Sequence, residues 1–370
     1  MKITDGILGF LMAAGLLLLA SCTSEVINQD PMVIMKNISA TGEIKIADLN
    51  NALKLDQNNA GLYAKRAKLY LQEKQLEKAL TNIEQAIKLN SNQAEFYFWK
   101  AAILRDFGSI TQALEAIEEA EKLGLKDPNG YFLQAELLAR KNNYPAALEK
   151  VTLGLNEEPD NEYGLFYKGL ARAATNDTAS AIVLYRRAIR NAPEFLPPYL
   201  QLGSIFNARK SYDEANYYLK ISKTLEPENA FLWYQRGLRY KGVKQPDSAY
   251  TSFMQAAKLD TDLYQANYQL ALMDYKRGNF AGAADNLERI KSGTENLPLV
   301  QEVLAESYEK TGRFQEAVAV YNQVLRRKPN DVKSTWGIRR STWGLKKMQR
   351  DSLRRYRDNK FYREDTIINF

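Results

Sequence analysis

Apolar and polar positions recur along most of this chain with a period of 34 residues. The stretches "YAKRAKLY…EKALTNIEQAIKL" and "WYQRGLRY…DSAYTSFMQAAKL" lie 170 residues apart, which is five such periods. A unit that starts at Ala60 runs eight times without an insertion and ends at Asp331. Two apolar stretches with helical spacing in each unit predict a pair of amphipathic helices. Positions 1 to 34 are numbered within each repeat below.

Three positions keep one size of side chain in all eight repeats. Position 8 is small: Ala67, Ala101, Ala135, Gly169, Gly203, Gly237, Ala271 and Ala305. Position 20 is always alanine, and position 24 is large and mostly apolar: Ile83, Ile117, Val151, Tyr185, Leu219, Phe253, Leu287 and Tyr321. Small residues let two helices of a pair approach each other, and the large side chain fills the space beyond them. No single pair can bury its own apolar face, so the pairs are expected to stack into an all-α solenoid.

The pattern resembles the tetratricopeptide repeat, in which W-x2-L-G-x2-Y is followed by A-x3-F and then by proline. The fullest match is made by Trp233, Gly237, Tyr240, Ala249 and Phe253. Proline ends four repeats, at Pro159, Pro193, Pro227 and Pro329. The resemblance implies a right-handed solenoid of about eight helix-pair repeats with a C-terminal capping helix.

The segments around the repeats differ from them in character. The predicted organisation is a signal peptide at 1–21, a tether at 22–43, a partial repeat helix at 44–59, eight repeats at 60–331, and a capping helix with a basic tail at 332–370. In the last segment "STWGIRR" is followed directly by "STWGLKK", which places Trp336 and Trp343 on one face of the predicted helix.

An apolar run from Ile7 to Ala20 precedes the only cysteine, Cys22. The run is shorter than the about 20 residues that span a bilayer, and its context is typical of a signal peptide. Leu-Ala-Ser-Cys resembles the bacterial lipobox, in which the cysteine receives lipid chains after cleavage. The resemblance implies lipidation at Cys22, and Thr23 after it favours the outer membrane over the inner one. The alternative is an ordinary secreted protein, or an uncleaved anchor, with an accidental cysteine.

The net charge of +7 belongs to the C-terminal segment alone. Residues 332–370 contain eleven Lys/Arg and four Asp/Glu, and residues 1–331 are balanced. An anionic membrane surface or an acidic partner is therefore a candidate for the tail, and a solvated tail is the alternative. Nucleic acid is not an expected partner of an exported protein.

The sequence lacks several residue types and motifs on which catalysis commonly depends. The chain contains no histidine, and its single cysteine is assigned to lipidation. Phosphate-binding glycine loops and nucleophile motifs are missing as well. We therefore expect neither an enzyme nor a bound metal or cofactor.

In the tetratricopeptide family, positions 2, 5, 9 and 12 of the first helix face the binding groove. The residues predicted to form a partner groove are Phe98, Phe132, Tyr163, Phe166, Leu200, Phe231, Tyr234, Tyr268 and Tyr275. An acidic patch is expected in repeat 8, from Glu302, Glu306 and Glu309. A tightly wound inner wall that buries the aromatic row is the alternative to an open groove.

The combined features resemble lipid-anchored tetratricopeptide proteins that help to assemble outer-membrane machines. The resemblance implies a periplasm-facing scaffold that binds protein or peptide partners in the groove. The alternative function is a glycan-binding surface lipoprotein, since some of those carry similar helices and stack sugars on aromatic rings.

Overall fold

A computed structural model of the protein describes residues 46–290 and 297–365, and everything said of structure below refers to these residues. They form helices and short connections, with no strand among them. The predicted all-α fold class is confirmed. The predicted signal peptide, the tether and Cys22 lie outside the described residues.

Each repeat consists of a first and a second helix. The first helices are α2 (Ala60–Gln72), α4 (Ala94–Asp106), α6 (Pro128–Arg140), α8 (Glu162–Ala174), α10 (Leu196–Ala208), α12 (Ala230–Gly242), α14 (Tyr264–Lys276) and α16 (Val300–Lys310). The second helices are α3 (Leu76–Leu89), α5 (Ile110–Lys122), α7 (Tyr144–Glu157), α9 (Thr178–Asn191), α11 (Tyr212–Leu225), α13 (Pro246–Leu259), α15 (Phe280–Glu288) and α17 (Phe314–Arg327). A single helix, α1 (Ile46–Leu55), precedes them, and α18 (Val332–Asp365) follows.

Local sequence explains where these helices begin. Asn59, Asn161 and Asn229 precede first helices, and each accepts a hydrogen bond from a backbone N–H of the first turn through its side-chain oxygen. Asp177 caps a second helix in the same way, through the N–H of Ser180 at 3.1 Å. Such caps satisfy N–H groups that have no partner within the helix.

A left-handed residue separates the two helices in all eight repeats. Position 15 has φ between 58° and 79° in each, with glycine in three repeats: Gly108, Gly278 and Gly312. Asparagine stands there in two repeats and lysine in three: Asn142, Asn176, Lys74, Lys210 and Lys244. The turn therefore keeps one geometry with or without glycine, although non-glycine residues adopt it at some energetic cost.

Small and large positions pack against each other within a pair. A Cβ placed on Gly169 would lie 2.6 Å from the ring of Tyr185, and one on Gly237 would lie 2.5 Å from the ring of Phe253. Position 20 is fully buried in every repeat, as alanine. The size pattern in the sequence therefore marks the contact between the paired helices.

The chain divides into two compact units, Met1–Ala208 and Arg209–Phe370. The first contains α1 to α10 and the second contains α11 to α18. The division falls within repeat 5, between its first and second helix, and the regular repeat gives no sign of it.

The last helix packs onto α17 and α16 through its small residues. Ser334, Gly337, Ser341 and Gly344 are buried, and an added Cβ on either glycine would overlap the ring of Tyr321 or of Phe314. The tryptophans lie on the opposite side, where Trp336 is 53% exposed and Trp343 is 62% exposed. Glycine lowers the stability of a helix interior, but here the two glycines let the helix pack closely on its neighbour. The face that carries both tryptophans is exposed to solvent.

Candidate partner-binding surface

The nine residues predicted to line a groove fall into two groups. Six are buried: Phe98, Phe132, Tyr163, Phe166, Leu200 and Tyr268. Three are partly exposed: Phe231, Tyr234 and Tyr275. The expectation that an open groove exposes all nine residues is therefore wrong for these six. They are buried, as the alternative of a tightly wound inner wall predicts.

Glycines make the room that buries Phe132, which is 1% exposed. A Cβ on Gly154 or on Gly164 would come within 2.9 Å of the Cζ atom of this ring. Gly154 belongs to the second helix of the same repeat, and Gly164 belongs to the first helix of the next. The ring therefore fills the junction between repeats 3 and 4 and is part of the core.

Phe166 is buried within a cluster of rings. Its centroid lies 5.2 Å from that of Tyr167, 5.7 Å from that of Tyr185 and 5.8 Å from that of Phe195. Tyr163 approaches Phe195 edge-on, with 4.9 Å between the ring centroids. Aromatic pairs at these distances and angles are favourable, and here they stabilise repeat 4.

A buried network of charges crosses the same face in repeats 2 to 4. Glu136 is 0% exposed and accepts hydrogen bonds from Arg105 at 3.4 Å and from Arg140 at 2.8 Å. Arg105 also donates to Asp106 at 2.8 Å. Tyr167 donates its hydroxyl proton to Glu136. The sequence signal for this network is the set of charged residues at positions 9, 12 and 13 of consecutive repeats. None of these residues was among those predicted to line the groove.

The network shifts the pKa values of two of its members, Tyr167 and Arg105. Burial, together with the neighbouring Glu136, raises the pKa of Tyr167 well above its usual range. Burial alone would lower the pKa of Arg105, but the carboxylates of Glu136 and Asp106 outweigh it and raise that pKa. Arg105 therefore keeps its charge, and Tyr167 remains a neutral phenol that donates a hydrogen bond.

The corresponding face of repeats 6 and 7 remains partly open. Five apolar side chains at positions 2, 5, 9 or 12 of α12 and α14 are partly exposed, while Tyr268 at position 5 of α14 is buried. We call these five the repeat 6–7 patch: Phe231, Tyr234, Leu238, Leu272 and Tyr275. All five lie in the second unit. The patch is therefore the part of the predicted groove that a partner can reach.

Contacts below the patch hold its tyrosines in place. The ring of Tyr234 lies 5.8 Å from that of Phe253 and 6.3 Å from that of Phe231. Tyr275 donates its hydroxyl proton to Glu306 at 2.5 Å. Burial and this carboxylate raise the pKa of Tyr275 to about 12. The rings are thus presented in fixed orientations.

One edge of the patch is basic. Lys241 donates to the side-chain oxygen of Gln269 at 2.7 Å. Burial, and the charge of Lys276 nearby, lower the pKa of Lys241. Among the residues whose side chains the structure describes, 46–290 and 297–357, neither lysine forms an ion pair with a carboxylate. This edge can therefore receive an acidic group from outside.

The acidic patch predicted for repeat 8 is corrected. Glu302 forms an ion pair with Lys328 at 2.7 Å, and Glu306 accepts a hydrogen bond from the hydroxyl group of Tyr275. Glu309 accepts from Tyr321 at 2.8 Å and from Arg340 of α18 at 2.9 Å. Glu309 connects α16 to α17 and α18, Glu302 connects it to Lys328 just after α17, and Glu306 connects it to α14, so these carboxylates are paired and do not form a free negative surface.

A metal site requires a cluster of ligating side chains, and a membrane span requires a long apolar helix. No group of three or more histidine, cysteine, aspartate or glutamate residues is arranged among them to hold a metal ion. None of the helices in the described part of the chain is both long and apolar enough to cross a membrane.

Comparison with known proteins agrees with the repeat pattern. The family model described as Tetratricopeptide repeat matches residues 64–128, 103–155, 132–194 and 268–332, which together cover more than half of the chain. A search of the curated proteins found none that matches this sequence.

Solved structures share the fold at low sequence identity. The Cut9–Hcn1 hetero-tetramer of the APC/C matches with a TM-score of 0.57 and 16% identity, over 80% of this chain and 58% of that one. A tetratricopeptide repeat protein from Parabacteroides merdae matches with a TM-score of 0.53 and 14% identity, over 67% of this chain and 98% of that one. The human IFIT1 dimer with PPP-AAAA matches with a TM-score of 0.52 and 19% identity, over 76% and 67%. These likenesses show the same fold, and the family match over more than half of the chain shows that the chain belongs to the tetratricopeptide repeat family.

Proposed function

We propose that this protein is a scaffold that binds an extended, largely apolar segment of a partner protein on the repeat 6–7 patch. The observation that carries the proposal is a contrast in burial among the groove positions of the first helices. Position 5 is buried at Phe98, Phe132 and Phe166, whereas Tyr234 at position 5 of repeat 6 is partly exposed. In repeat 7, position 5 is buried as Tyr268, and the partly exposed ring is Tyr275 at position 12. Exposed apolar groups that lie together are typical of surfaces that bind partners.

The spacing of the patch suits an extended segment. Packed helices lie about 8–10 Å apart, so side chains from α12 and α14 present apolar groups at that interval. An extended chain rises about 3.3 Å per residue, so every third residue of a partner would meet the next helix. Lys241 and Lys276 at the edge favour a segment with an acidic residue at one end.

We further propose that the scaffold is lipid-anchored at Cys22 in the cell envelope, with the outer membrane as its location and assembly or support of an outer-membrane machine as its role. The resemblance of Leu-Ala-Ser-Cys to a lipobox supports the anchor. The basic tail is a second candidate contact with an anionic surface. Changing Cys22 to Ala should release the protein from the membrane fraction, and retention after a high-salt wash would contradict the anchor.

The glycan-binding alternative has less support from the geometry. Phe231 and Tyr234 are inclined at 36° to each other, so they do not form one flat platform for a sugar ring. The partner test below also separates the two functions, because oligosaccharides can replace protein extracts in it.

The test compares capture of envelope proteins by three forms of the chain. The patch variant carries Tyr234→Ser and Leu272→Ser, and its control carries Val183→Ser and Leu153→Ser, which change exposed apolar residues of the first unit. We expect the parent and the control to capture the same protein and the patch variant to lose most of it. Equal capture by all three forms would contradict the proposal.

A further inference from the structure

The last helix presents two opposite faces with different chemistry. Ser334, Gly337, Ser341 and Gly344 face the repeats. With 3.6 residues per turn, the opposite side of the helix carries another set of side chains. They are Val332, Trp336, Arg339, Trp343, Lys346, Lys347, Arg350, Arg354 and Arg357, all exposed, and we call them the outward face.

The outward face is strongly basic. Residues 332–357 contain nine Lys/Arg and a single acidic residue, Asp351. Within the described parts of the repeats, 60–290 and 297–331, a carboxylate pairs with one of these cations, Arg340, which lies beside the outward face and contacts Glu309. The charges of the outward face are therefore available to an external anion.

Two tryptophans stand among these charges. Trp336 and Trp343 are seven residues apart, so they lie about 10.5 Å apart along the helix and nearly in line. Arg339 lies 5.0 Å above the ring of Trp336, and Lys347 lies 5.6 Å above the ring of Trp343. More than half of each tryptophan is exposed, so the packing of the helix on α17 does not account for them.

We propose that the outward face of α18 docks onto an anionic phospholipid surface. The chemistry is complementary, because basic side chains attract the headgroups and tryptophan is favoured at the interface between membrane and water. Trp336 to Arg357 extends about 30 Å along a straight helix, which fits a flat sheet of anions better than a single pocketed ligand. The presence of a membrane near the protein rests on the proposed function, whereas the docking face rests on the exposed side chains of α18.

Each basic residue near an anionic surface strengthens binding about fivefold. Neutralising three of them should therefore weaken docking by about a hundredfold. The attraction should also fall as salt shortens the screening distance to about 10 Å at 0.1 M.

The experiment uses the full chain with vesicles whose acyl chains are brominated, because bromine quenches tryptophan fluorescence at short range. Residues 1–45 contain no tryptophan, so the N-terminal apolar run can hold the protein on any vesicle without contributing to the signal. Anionic vesicles are compared with zwitterionic ones. A variant with Trp336→Phe and Trp343→Phe identifies the part of the signal that comes from α18, since only Trp99 and Trp233 remain.

A charge variant, Arg339→Gln with Lys347→Gln and Arg350→Gln, tests the headgroup contact. Its matched control is Lys88→Gln with Lys220→Gln and Lys258→Gln, three exposed lysines of second helices. We expect salt-sensitive quenching of Trp336 and Trp343 on anionic vesicles, retained by the control and lost by the charge variant. Circular dichroism should show equal helix content in all forms.

Three results would overturn the proposal. The first is equal quenching on zwitterionic and anionic vesicles, and the second is equal quenching in the charge variant and its control. The third is no quenching on vesicles together with a tryptophan emission shift on added polyglutamate, which would assign the face to an acidic protein. None of these results depends on the repeat 6–7 patch, so failure here is distinguishable from failure of the scaffold.

Discussion

Aromatic residues at the groove positions have different environments in two regions of the molecule, repeats 3 and 4 and repeats 6 and 7. In the first pair, Phe132 and Phe166 are 1% exposed and belong to the core. In the second pair, Tyr234 at position 5 of repeat 6 and Tyr275 at position 12 of repeat 7 stay partly exposed on helices of the same length, although Tyr268 at position 5 of repeat 7 is buried. An aromatic residue at a groove position therefore does not define a groove. What surrounds it decides whether it becomes core or surface.

Two glycines next to Phe132 have no counterpart next to Tyr234. Phe132 occupies space left by Gly154 at position 27 of its own repeat and by Gly164 at position 3 of the next. The same positions beside Tyr234 hold Ala256 and Ala266, which are both fully buried. The glycines therefore explain the room for Phe132, whereas Phe166 is equally buried beside Ala188 and Pro198 and packs against other rings.

The largest expected effect comes from removing the buried ring. Phe132→Ala should lower the free energy of unfolding by about 3–5 kcal/mol, because it deletes a buried aromatic side chain and leaves a cavity. Tyr234→Ala should lower it by less than half as much, because the ring is already partly in solvent. Urea unfolding followed by circular dichroism measures both. Similar losses in the two variants would remove the distinction between core and surface.

The buried charge network gives a second test of the sealed region. Glu136→Gln leaves Arg105 and Arg140 without their shared carboxylate, which should lower the free energy of unfolding by about 3 kcal/mol. Glu84→Gln breaks the partly exposed pair with Lys100 and should cost below about 1 kcal/mol. A loss in Glu136→Gln no larger than in Glu84→Gln would show that the network is not sealed from water.

A smaller effect tests the glycine explanation directly. Gly154→Ala should lower the free energy of unfolding by about 1–3 kcal/mol, because the new methyl group overlaps the ring of Phe132. The control is Gly61→Ala, whose new Cβ meets only the side-chain oxygen of Asn59, at 3.3 Å. The control should be neutral or slightly stabilising, since alanine favours helix. Stabilisation by Gly154→Ala would contradict the proposed role of the glycine.

The smallest effect concerns pH at the end of the second unit. Burial alone would raise the pKa of Glu309, but hydrogen bonds from Arg340 and Tyr321 outweigh it and hold that pKa below its ordinary value. The carboxylate therefore stabilises the fold above its ordinary pKa of 4.5, and this contribution is lost as pH falls through the lower, folded value. Glu309→Gln should lower the melting temperature at pH 6 and hardly change it at pH 3. A difference that persists at pH 3 would show that the effect is not due to the charge.

The repeat made the fold predictable from sequence, whereas the site was predictable only in part. Alanine at position 20 and the pairing of small and large side chains specify the helix pairs, because these contacts are local and recur eight times. Burial of position 5 depends on residues of two different helices, as Gly154 and Gly164 show, so the row could not be read one position at a time. The two Ser-Thr-Trp-Gly segments could likewise be assigned to a helix. The sequence did not show which face of that helix is buried, because each segment contributes small residues to the buried face and a tryptophan to the exposed face.

The central claim is that the repeat 6–7 patch, and not the sealed row of the first unit, contacts the partner. A photo-crosslinking amino acid placed at Leu238 or Leu272 in living cells tests it most directly, with Val183 of the first unit as the exposed control. The account predicts one partner adduct of the same size from Leu238 and Leu272 and none from Val183. An equally strong adduct from Val183, or no adduct from the patch while the control reacts, would contradict it.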